Sequence, residues 1–475
     1  MSLSRLSSSS RSKSRFSLDR PNLRSTIIWL LVASDIIGLL LCFNLAFIIR
    51  LEEFLDWRSP ILYSLIAVYL FGLYLADTYK LNRKFSGLLL SERVLFGILG
   101  TVAAITSGIY LTGLWGSSPL VGRGILSIAI SLFSVWAITW RAIASKWFKL
   151  SQEHSRFLVL GSDQKALAFG REYHNFHADT EFVFLTDKNN NSSSYKNSNC
   201  TVLDTVENFL DWKYQYWSGI LIEDGSKIPE TMVREIMEMR LKGICVYSLA
   251  DFSEQFWQKI PPSYVQDDWF AFTSGFSILH NRVNVKLKQL IDFVAVLLLL
   301  ILTLPLTLVV AIAIKLDSQG PIFYSQVRTG LNGKKIKVHK FRSMYQNAEQ
   351  KGIQWAQEKD PRITRVGCFL RLTRIDELPQ LWNVLKGEMS LIGPRPERPE
   401  FDLQLREEIP YYDVRYLVKP GITGWAQVCY PYGASVQDAY QKVAYDLYYI
   451  KNYSLFLDAI IVLKTIKVIL FGKGR

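Results

Sequence analysis

The stretch Leu290–Ile314, LIDFVAVLLLLILTLPLTLVVAIAI, governs the reading of everything around it. As a helix it is long enough to cross ~30 Å of hydrocarbon. Yet Arg282, Lys286 and Lys288 precede it, and Lys315, Arg328, Lys334, Lys335, Lys337, Lys340 and Arg342 follow. Positive charge favours the cytoplasmic side, so both ends want the same face of the membrane. Pro305, between Thr303 and Thr307, removes a backbone donor and bends or breaks a helix there. A helix that enters one leaflet and turns back at Pro305 satisfies both facts; a kinked full crossing is the alternative.

Towards the N-terminus, Ser25–Ile49, Ile61–Tyr79, Leu88–Leu114 and Gly124–Ala144 are four more apolar stretches of spanning length. The basic residues Arg5, Arg11, Lys13, Arg15, Arg20 and Arg24 before the first stretch belong in the cytoplasm, as do Lys80, Arg83, Lys84 and Arg93 after the second. Arg141, Lys146, Lys149 and Arg156 return the chain to that side after the fourth. Residues 1–24 are Ser/Arg-rich and lack a compact apolar run before a small-residue cleavage site. They read as a disordered cytoplasmic tail, with no cleaved signal. Asp35 lies inside the first span, where a carboxylate must pair, protonate or face the bundle interior. No cation shares its span, so a packing or helix-pairing role ranks ahead of a proton or lipid site.

The net charge of +13 is concentrated late: from Lys315 to Arg475 there are 25 Lys/Arg against 16 Asp/Glu. Anionic partners follow, although nucleic acid, anionic lipid and phosphorylated substrates would all fit such a surface. Cys42, Cys200, Cys245, Cys368 and Cys429 are far apart and without neighbouring histidines at metal spacing, so they read as reduced packing residues. His174 and His177 lack further ligands nearby, and a surface helix explains them better than a metal. From Arg156 onward FLVLGS, FVFLT, GILIE and GICVYSL alternate with helical stretches, which predicts an α/β domain with a parallel sheet. The turn Gly161-Ser162-Asp163-Gln164-Lys165-Ala166 approximates a dinucleotide signature, but Asp163 stands where the second glycine would admit a pyrophosphate. A structural or regulatory relic of a nucleotide fold is the preferred reading, ahead of dinucleotide binding. The run Asn189–Asn199 reads as a solvated loop.

Four blocks near the C-terminus combine rigid turns with cations or acids: KFRSM (Lys340–Met344), DPRITRVG (Asp360–Gly367), TRIDELPQ (Thr373–Gln380) and SLIGPRPE (Ser390–Glu397). Pro379 suits the first turn of a helix, which would set Asp376 and Glu377 at its N-terminal end. Adjacent carboxylates repel, and this favours either a bound divalent cation or a split of roles between nucleophile and metal ligand or acid/base. By composition alone, helix-dipole stabilisation without catalysis ranks ahead of either. Lys340, Arg342, Arg374 and Arg395 could fork onto diphosphate oxygens, with Pro394 and Pro396 holding the backbone of Arg395. The last helix, Leu455–Phe471, sets Leu, Ile and Val apart from Asp458, Lys464 and Lys467, and reads as a membrane-interface helix ahead of a soluble core helix.

Together these segments resemble the bacterial sugar transferase family, the polyprenyl-phosphate hexose-1-phosphate transferases, in its large form and exopolysaccharide-initiating branch. The resemblance is carried by KFRSM, TRIDELPQLWNVLKGEMSLIGPRPE, KPGITGWAQV, YPYGAS and YDLYYIKN in the family's order. It implies that Asp376 attacks the β-phosphorus of a UDP-sugar, expels UMP and holds an aspartyl sugar phosphate until polyprenyl phosphate, of the undecaprenyl type, takes the sugar phosphate away. Glu377 would then hold Mg²⁺ or assist proton transfer, and the PRP block around Arg395 would help bind the nucleotide. The partners implied are UDP-sugar, polyprenyl phosphate, membrane lipid and a second copy in a homodimer, with no nucleic acid.

The expected fold class is a membrane α-helical bundle plus α/β: a tail over 1–24, four transmembrane helices over 25–149, a Rossmann-like α/β domain over 150–280, and a re-entrant membrane helix with a mainly helical α/β catalytic domain over 281–475. The expected location is the bacterial inner membrane, with the soluble domains in the cytoplasm. A nucleotide-sugar epimerase or dehydratase working through the middle domain would want an intact glycine turn and a Tyr-x-x-x-Lys pair, which are not evident there. A lipid-phosphate-binding scaffold or flippase partner would leave the Asp-Glu pair unexplained.

Overall fold

The computed structural model describes residues 20–79, 88–113, 118–151, 155–161, 163–176, 180–186, 200–205, 209–212, 215, 217–223, 229–346, 348, 360–430, 433 and 435–471. The tail over 1–19, the basic residues Lys80, Arg83 and Lys84, Ser162 of the glycine turn, His177 and the Asn189–Asn199 run lie outside them. The chain divides into two compact units, Met1–Ser155 and Arg156–Arg475.

The first unit consists of α1 (Arg20–Leu51), α2 (Pro60–Leu75), α3 (Leu88–Thr112) and α4 (Arg123–Ser151). Within it Thr26–Leu51, Arg93–Thr112 and Arg123–Ala144 are long and apolar enough to cross a membrane. The second expected span is shorter than Ile61–Tyr79 suggested: α2 has 16 residues, about 24 Å of helix, and the chain turns over 76–79. Phe43, Leu62, Tyr69, Val94 and Phe133 fill the interior, while Phe54, Phe96, Leu99 and Leu111 are exposed, the pattern of a bundle solvated by apolar surroundings. Asp35 has its cation after all, from α4. Arg141 donates to both its oxygens at 2.9 and 2.7 Å, and the Tyr79 hydroxyl adds a bond of 2.7 Å. Arg141, expected among the cytoplasmic charges, is therefore buried in this pair.

In the second unit, β1 (Ser155–Leu160), α5 (Asp163–Phe176), β2 (Thr180–Thr186), β3 (Cys200–Thr205), α6 (Phe209–Trp212), β4 (Gly219–Ile222), α7 (Glu230–Leu241), β5 (Val246–Ser248) and α8 (Leu249–Trp257) build a sheet in the order β3-β2-β1-β4-β5. The pairings β1 with β4, β2 with β3 and β4 with β5 are parallel. Alternation along β1 sends Phe157 and Val159 to the face covered by Phe169 and Phe252, and Leu158 and Leu160 to the face covered by Met232 and Ile236. This is the doubly wound order of a Rossmann-type sheet. At its switch point a Cβ on Gly161 would lie 2.6 Å from the Cβ of buried Glu223, so the Glu223 carboxylate crowds the crevice where a pyrophosphate would have to sit.

Beyond α8 come α9 (Asp267–Phe272), α10 (Ser277–His280), α11 (Arg282–Asp317), β6 (Phe323–Thr329), β7 (Lys335–Phe341), α12 (Arg365–Leu372), α13 (Leu381–Leu385), β8 (Ser390–Ile392), α14 (Pro399–Glu408), β9 (Gly421–Thr423), α15 (Trp425–Cys429), α16 (Val436–Lys451) and α17 (Leu455–Leu470). The expected boundary near residue 280 does not separate two bodies, because backbone and buried charge cross it. Ile260 N–H donates to Ala444 O at 2.9 Å, and Phe276 N–H to Lys451 O at 2.8 Å. Buried Lys259 donates to Glu172 at 2.7 Å and to Gln441 at 2.8 Å.

The fourth helix of spanning length is α11, and it is pinned at both ends to the same unit. Near its start Lys288 pairs with Asp458 at 2.7 Å, and Asp292 accepts from the Ser390 hydroxyl at 2.7 Å. Near its end Val310 and Ile314 pack on Phe341 and Leu370, and Asp317 accepts from Val366 N–H at 3.1 Å. Between them Ile301, Leu302, Leu304, Leu306, Leu308 and Val309 are exposed. One continuous element runs through Pro305, so of the bend or break expected there the break does not occur. An interior proline costs about one hydrogen bond and a steric contact, a loss that long helical flanks anchored at both ends can absorb. On α17, Asp458 is buried against Lys288 and not on an outer polar face as expected, while Phe456, Leu463 and Leu470 are exposed.

Candidate active site

The acidic pair lies one turn earlier than Pro379 suggested. Ile375–Gln380 forms a 3-10 turn with Asp376 and Glu377 in its first turn and Pro379 inside it, and α13 follows directly. The turn begins at Arg374, whose φ of 60° is in the left-handed region that non-glycine residues rarely adopt. Asn383 on α13 fastens this segment to β7: its carboxamide accepts from His339 N–H at 3.2 Å and donates to Lys337 O at 2.8 Å, as a neighbouring strand would. Lys340, the next residue of that strand, therefore faces the pair.

The two carboxylates have opposite surroundings. Glu377 Oε1 accepts from Lys340 Nζ at 2.9 Å and from Arg395 at 2.8 Å, and Arg374 stands 3.7 Å from Oε2. Burial pushes the Glu377 carboxyl up, but Arg395, Lys340 and Arg374 together outweigh burial and hold it well below the usual carboxylate range. Among the described residues no hydrogen bond or ion pair engages Asp376, which lines the cavity beside it. Burial, reinforced by the charge of Glu377, raises its carboxyl against the pull of Lys340, Arg371 and Arg395. Burial also lowers the Lys340 ammonium, with Glu377 opposing the shift and Arg395 adding to it.

The cavity measures about 390 Å³, and ten Lys/Arg line it against three Asp/Glu, an excess that selects a polyanion. The backbone on either side of Arg395 is held by three bonds. Pro394 O accepts from Gly421 N–H at 2.9 Å, Arg395 O from Arg415 at 2.8 Å and Pro396 O from Arg328 at 3.3 Å. Lys340, Arg374 and Arg395 thus converge on Glu377. Arg342 does not join them: its guanidinium donates to Pro321 O at 2.5 Å, Ser318 O at 2.6 Å and Ile314 O at 3.2 Å. Pro305 is part of the exposed middle of α11.

Sequence reading assigned no site role to Arg371, Arg398, Arg415, Lys442 or Asp446, although all line the same cavity. The KPGITGWAQV and YDLYYIKN segments marked two of their neighbourhoods. Arg371 sits on α12, which is drawn close because Gly367 lacks a side chain: a Cβ there would lie 2.0 Å from Ser343 O. Arg415 and Asp446 form a buried pair at 3.0 Å.

For magnesium, the donor chemistry fits one member of the pair. Mg²⁺ takes one or two carboxylates and completes its shell with phosphate oxygens and water. Asp376 offers such an oxygen on the cavity wall. Glu377, the expected ligand, does not: it is not among the cavity-lining residues, and its carboxylate faces three cations.

A doubly wound sheet, a cation-rich cavity with one uncommitted carboxylate and a long apolar helix in one unit describe a protein suited to an anionic ligand at an apolar surface. Residues 283–472 match the family described as Bacterial sugar transferase. The chain is 44% identical over 241 residues to the UDP-N-acetylgalactosamine-undecaprenyl-phosphate N-acetylgalactosaminephosphotransferase of Aeromonas hydrophila, covering 51% of this chain and 56% of that one. It is 45% identical over 186 residues to the UDP-glucose:undecaprenyl-phosphate glucose-1-phosphate transferase of Escherichia coli, covering 39% and 40% of the two chains. A Bacillus subtilis relative, a putative undecaprenyl-phosphate N-acetylgalactosaminyl 1-phosphate transferase by its name, is 51% identical over 129 residues, which make up 27% of this chain and 72% of that one. The matched stretch spans about half or less of the first two relatives. The chain belongs to the bacterial sugar transferase family.

Proposed function

We propose that this protein transfers a sugar 1-phosphate from a UDP-sugar to undecaprenyl phosphate, releases UMP, and so initiates an exopolysaccharide or another surface glycan. The observation that carries the reading is the contrast inside the acidic pair: Glu377 is saturated by Lys340, Arg395 and Arg374, and Asp376 faces the cavity uncommitted. A carboxylate oxygen of Asp376 attacks the β-phosphorus, and the bond from that phosphorus to the bridging oxygen breaks, the electron pair leaving with UMP. An oxygen of the acceptor phosphate then attacks the same phosphorus and expels Asp376, giving a pyrophosphate-linked lipid sugar and restoring the carboxylate. Lys340, Arg374 and Arg395 hold Glu377 and supply fixed positive charge against the negative charge on the phosphoryl oxygens. Magnesium bound with the donor's diphosphate would meet Asp376 as its protein ligand and supply charge neutralisation there. The choice between an N-acetylhexosamine and glucose is open in the relatives' own names.

Both ends of α11 anchor in one unit while its middle is apolar and exposed, and this supports a re-entrant helix seated in the cytoplasmic leaflet of the inner membrane. The homodimer rests on the family resemblance. The decisive assay incubates the purified protein with UDP-sugar, Mg²⁺ and undecaprenyl phosphate. Wild type releases UMP and leaves a trapped sugar-phosphate adduct, and Asp376→Asn gives neither; turnover by that variant at the wild-type rate would remove the nucleophile. A reporter fused after Lys315 reads cytoplasmic, and an external signal would rule out re-entry.

A further inference from the structure

Arg342 lines the cavity, yet its fork is turned away from the acidic pair and onto the end of the membrane helix. Ile314 O and Ser318 O, at the negative end of α11, accept from it at 3.2 and 2.6 Å, as does the Ser318 hydroxyl at 3.0 Å. Pro321 O closes the set at 2.5 Å. The remaining donor, Nε, is itself buried. The chain around this fork is shaped to admit it. Gly320 has φ +127°, and a Cβ there would stand 2.4 Å from the Arg342 guanidinium, so the turn after α11 needs a glycine for backbone and for space alike. Arg342 N–H also donates to Ile322 O at 2.9 Å, and Phe341 is buried against Val310 and Ile314.

We infer that Arg342 is a positioning residue that clasps the C-terminal end of the membrane helix to the strand carrying Lys340, and acts on the reaction through Lys340 instead of holding phosphate. In extended chain, residues two apart leave on the same face about 7 Å from each other, so a shift at Arg342 is passed to Lys340. Lys340 bonds Glu377, and Glu377 neighbours the proposed nucleophile. The inference rests on the reaction proposed above. It gives the seating of an apolar helix in lipid a short route, through hydrogen bonds and one ion pair, to the reacting carboxylate.

The test uses the full-length protein with Arg342→Lys, which keeps the charge but cannot fork, and Gly320→Ala, which replaces no cavity-lining residue and pushes on the Arg342 fork from behind. A second variant keeps the outcome readable if the first does not fold. With UDP-N-acetylgalactosamine and UDP-glucose as donors, kcat for UMP release falls about ten- to a hundredfold in both variants, as expected for misplacing a reacting group by ~1 Å. KM for the donor, and the Kd for UDP measured by calorimetry, stay within about twofold, because no uniform binding contact is lost. Combining either variant with Lys340→Met is no slower than Lys340→Met alone, whereas a merely structural role would add its loss. A tenfold weaker UDP affinity with kcat retained, or additive losses, would overturn the clasp. Hydrogen exchange reads it without activity: both variants raise exchange over 314–322 and over 338–344 together. Exchange confined to 314–322 would refute the inference even if wild type released no UMP, a result that would sink the reaction instead.

Discussion

In the first unit the buried charges among the described residues are Asp35 and Arg141, and they satisfy each other: two oxygens, two guanidinium nitrogens and a tyrosine hydroxyl within 2.9 Å. In the second unit Glu377 is satisfied three times over, and Asp376 next to it has no hydrogen bond or ion pair among the described residues. Burying a charge is costly in both places, and full pairing is the usual settlement. A buried carboxylate left uncommitted beside a crowded one is what chemistry needs and what packing alone would not retain.

This contrast can be broken most directly at Asp376. Asp376→Asn lowers UMP release by at least ~10³-fold with unchanged thermal stability, while Asp35→Ala, read by the same two assays, lowers stability and leaves kcat unchanged. Near-normal turnover in the first variant, or lost turnover in the second, would erase the distinction. Within the second unit, Asp446→Ala strands buried Arg415 and destabilises the fold by about 3–5 kcal/mol in denaturant titration. Asp446→Asn recovers much of that, because burial already pushes the Asp446 carboxyl up to about 6 against the pull of Arg415. The sign follows: with its folded value above the ordinary 3.8, Asp446 contributes stability below 3.8 and loses that contribution as pH rises through about 6. The Asn variant flattens that slope, and an unchanged slope would assign it elsewhere.

A smaller effect appears in the pH–rate profile. The rate rises with pH through the raised Asp376 value as the nucleophile ionises, and falls again through the lowered Lys340 value. Glu377→Gln removes the negative neighbour that raises both groups, so both limbs move to lower pH; a shift of one limb alone would mean the two do not share Glu377. The smallest effect is expected from removing residues 1–155, which changes kcat by less than about tenfold, 1.4 kcal/mol of barrier. A larger loss would give the bundle a part in the chemistry.

The sequence made legible what is written locally. Apolar runs marked α1, α3, α4 and α11, and β-type runs marked the sheet, while the loop around Arg395 accepts one backbone and two side-chain bonds on its carbonyls, from segments its own sequence does not point to. What it hid were partners brought in by tertiary packing. The cation for Asp35 was sought within its own span, but it comes from 106 residues away. Arg342 looked like its neighbour Lys340 because both are basic and two apart; only the end of α11, 24 to 28 residues earlier in the chain, separates their roles. Asp446 sat unremarked in a tyrosine-rich helix whose periodicity says core, and its charge matters through Arg415, on another segment.

Arg374 carries a last consequence. A left-handed non-glycine residue costs of order 1–3 kcal/mol, and glycine at that position would relax the bend while deleting one of the cations over Glu377. A single position answers to two masters, backbone ease and electrostatic grip, and here grip prevails. Anyone grafting the acidic pair onto another scaffold would have to copy this awkward arginine along with it, because a smoother loop would deliver the same two carboxylates with their division of labour undone.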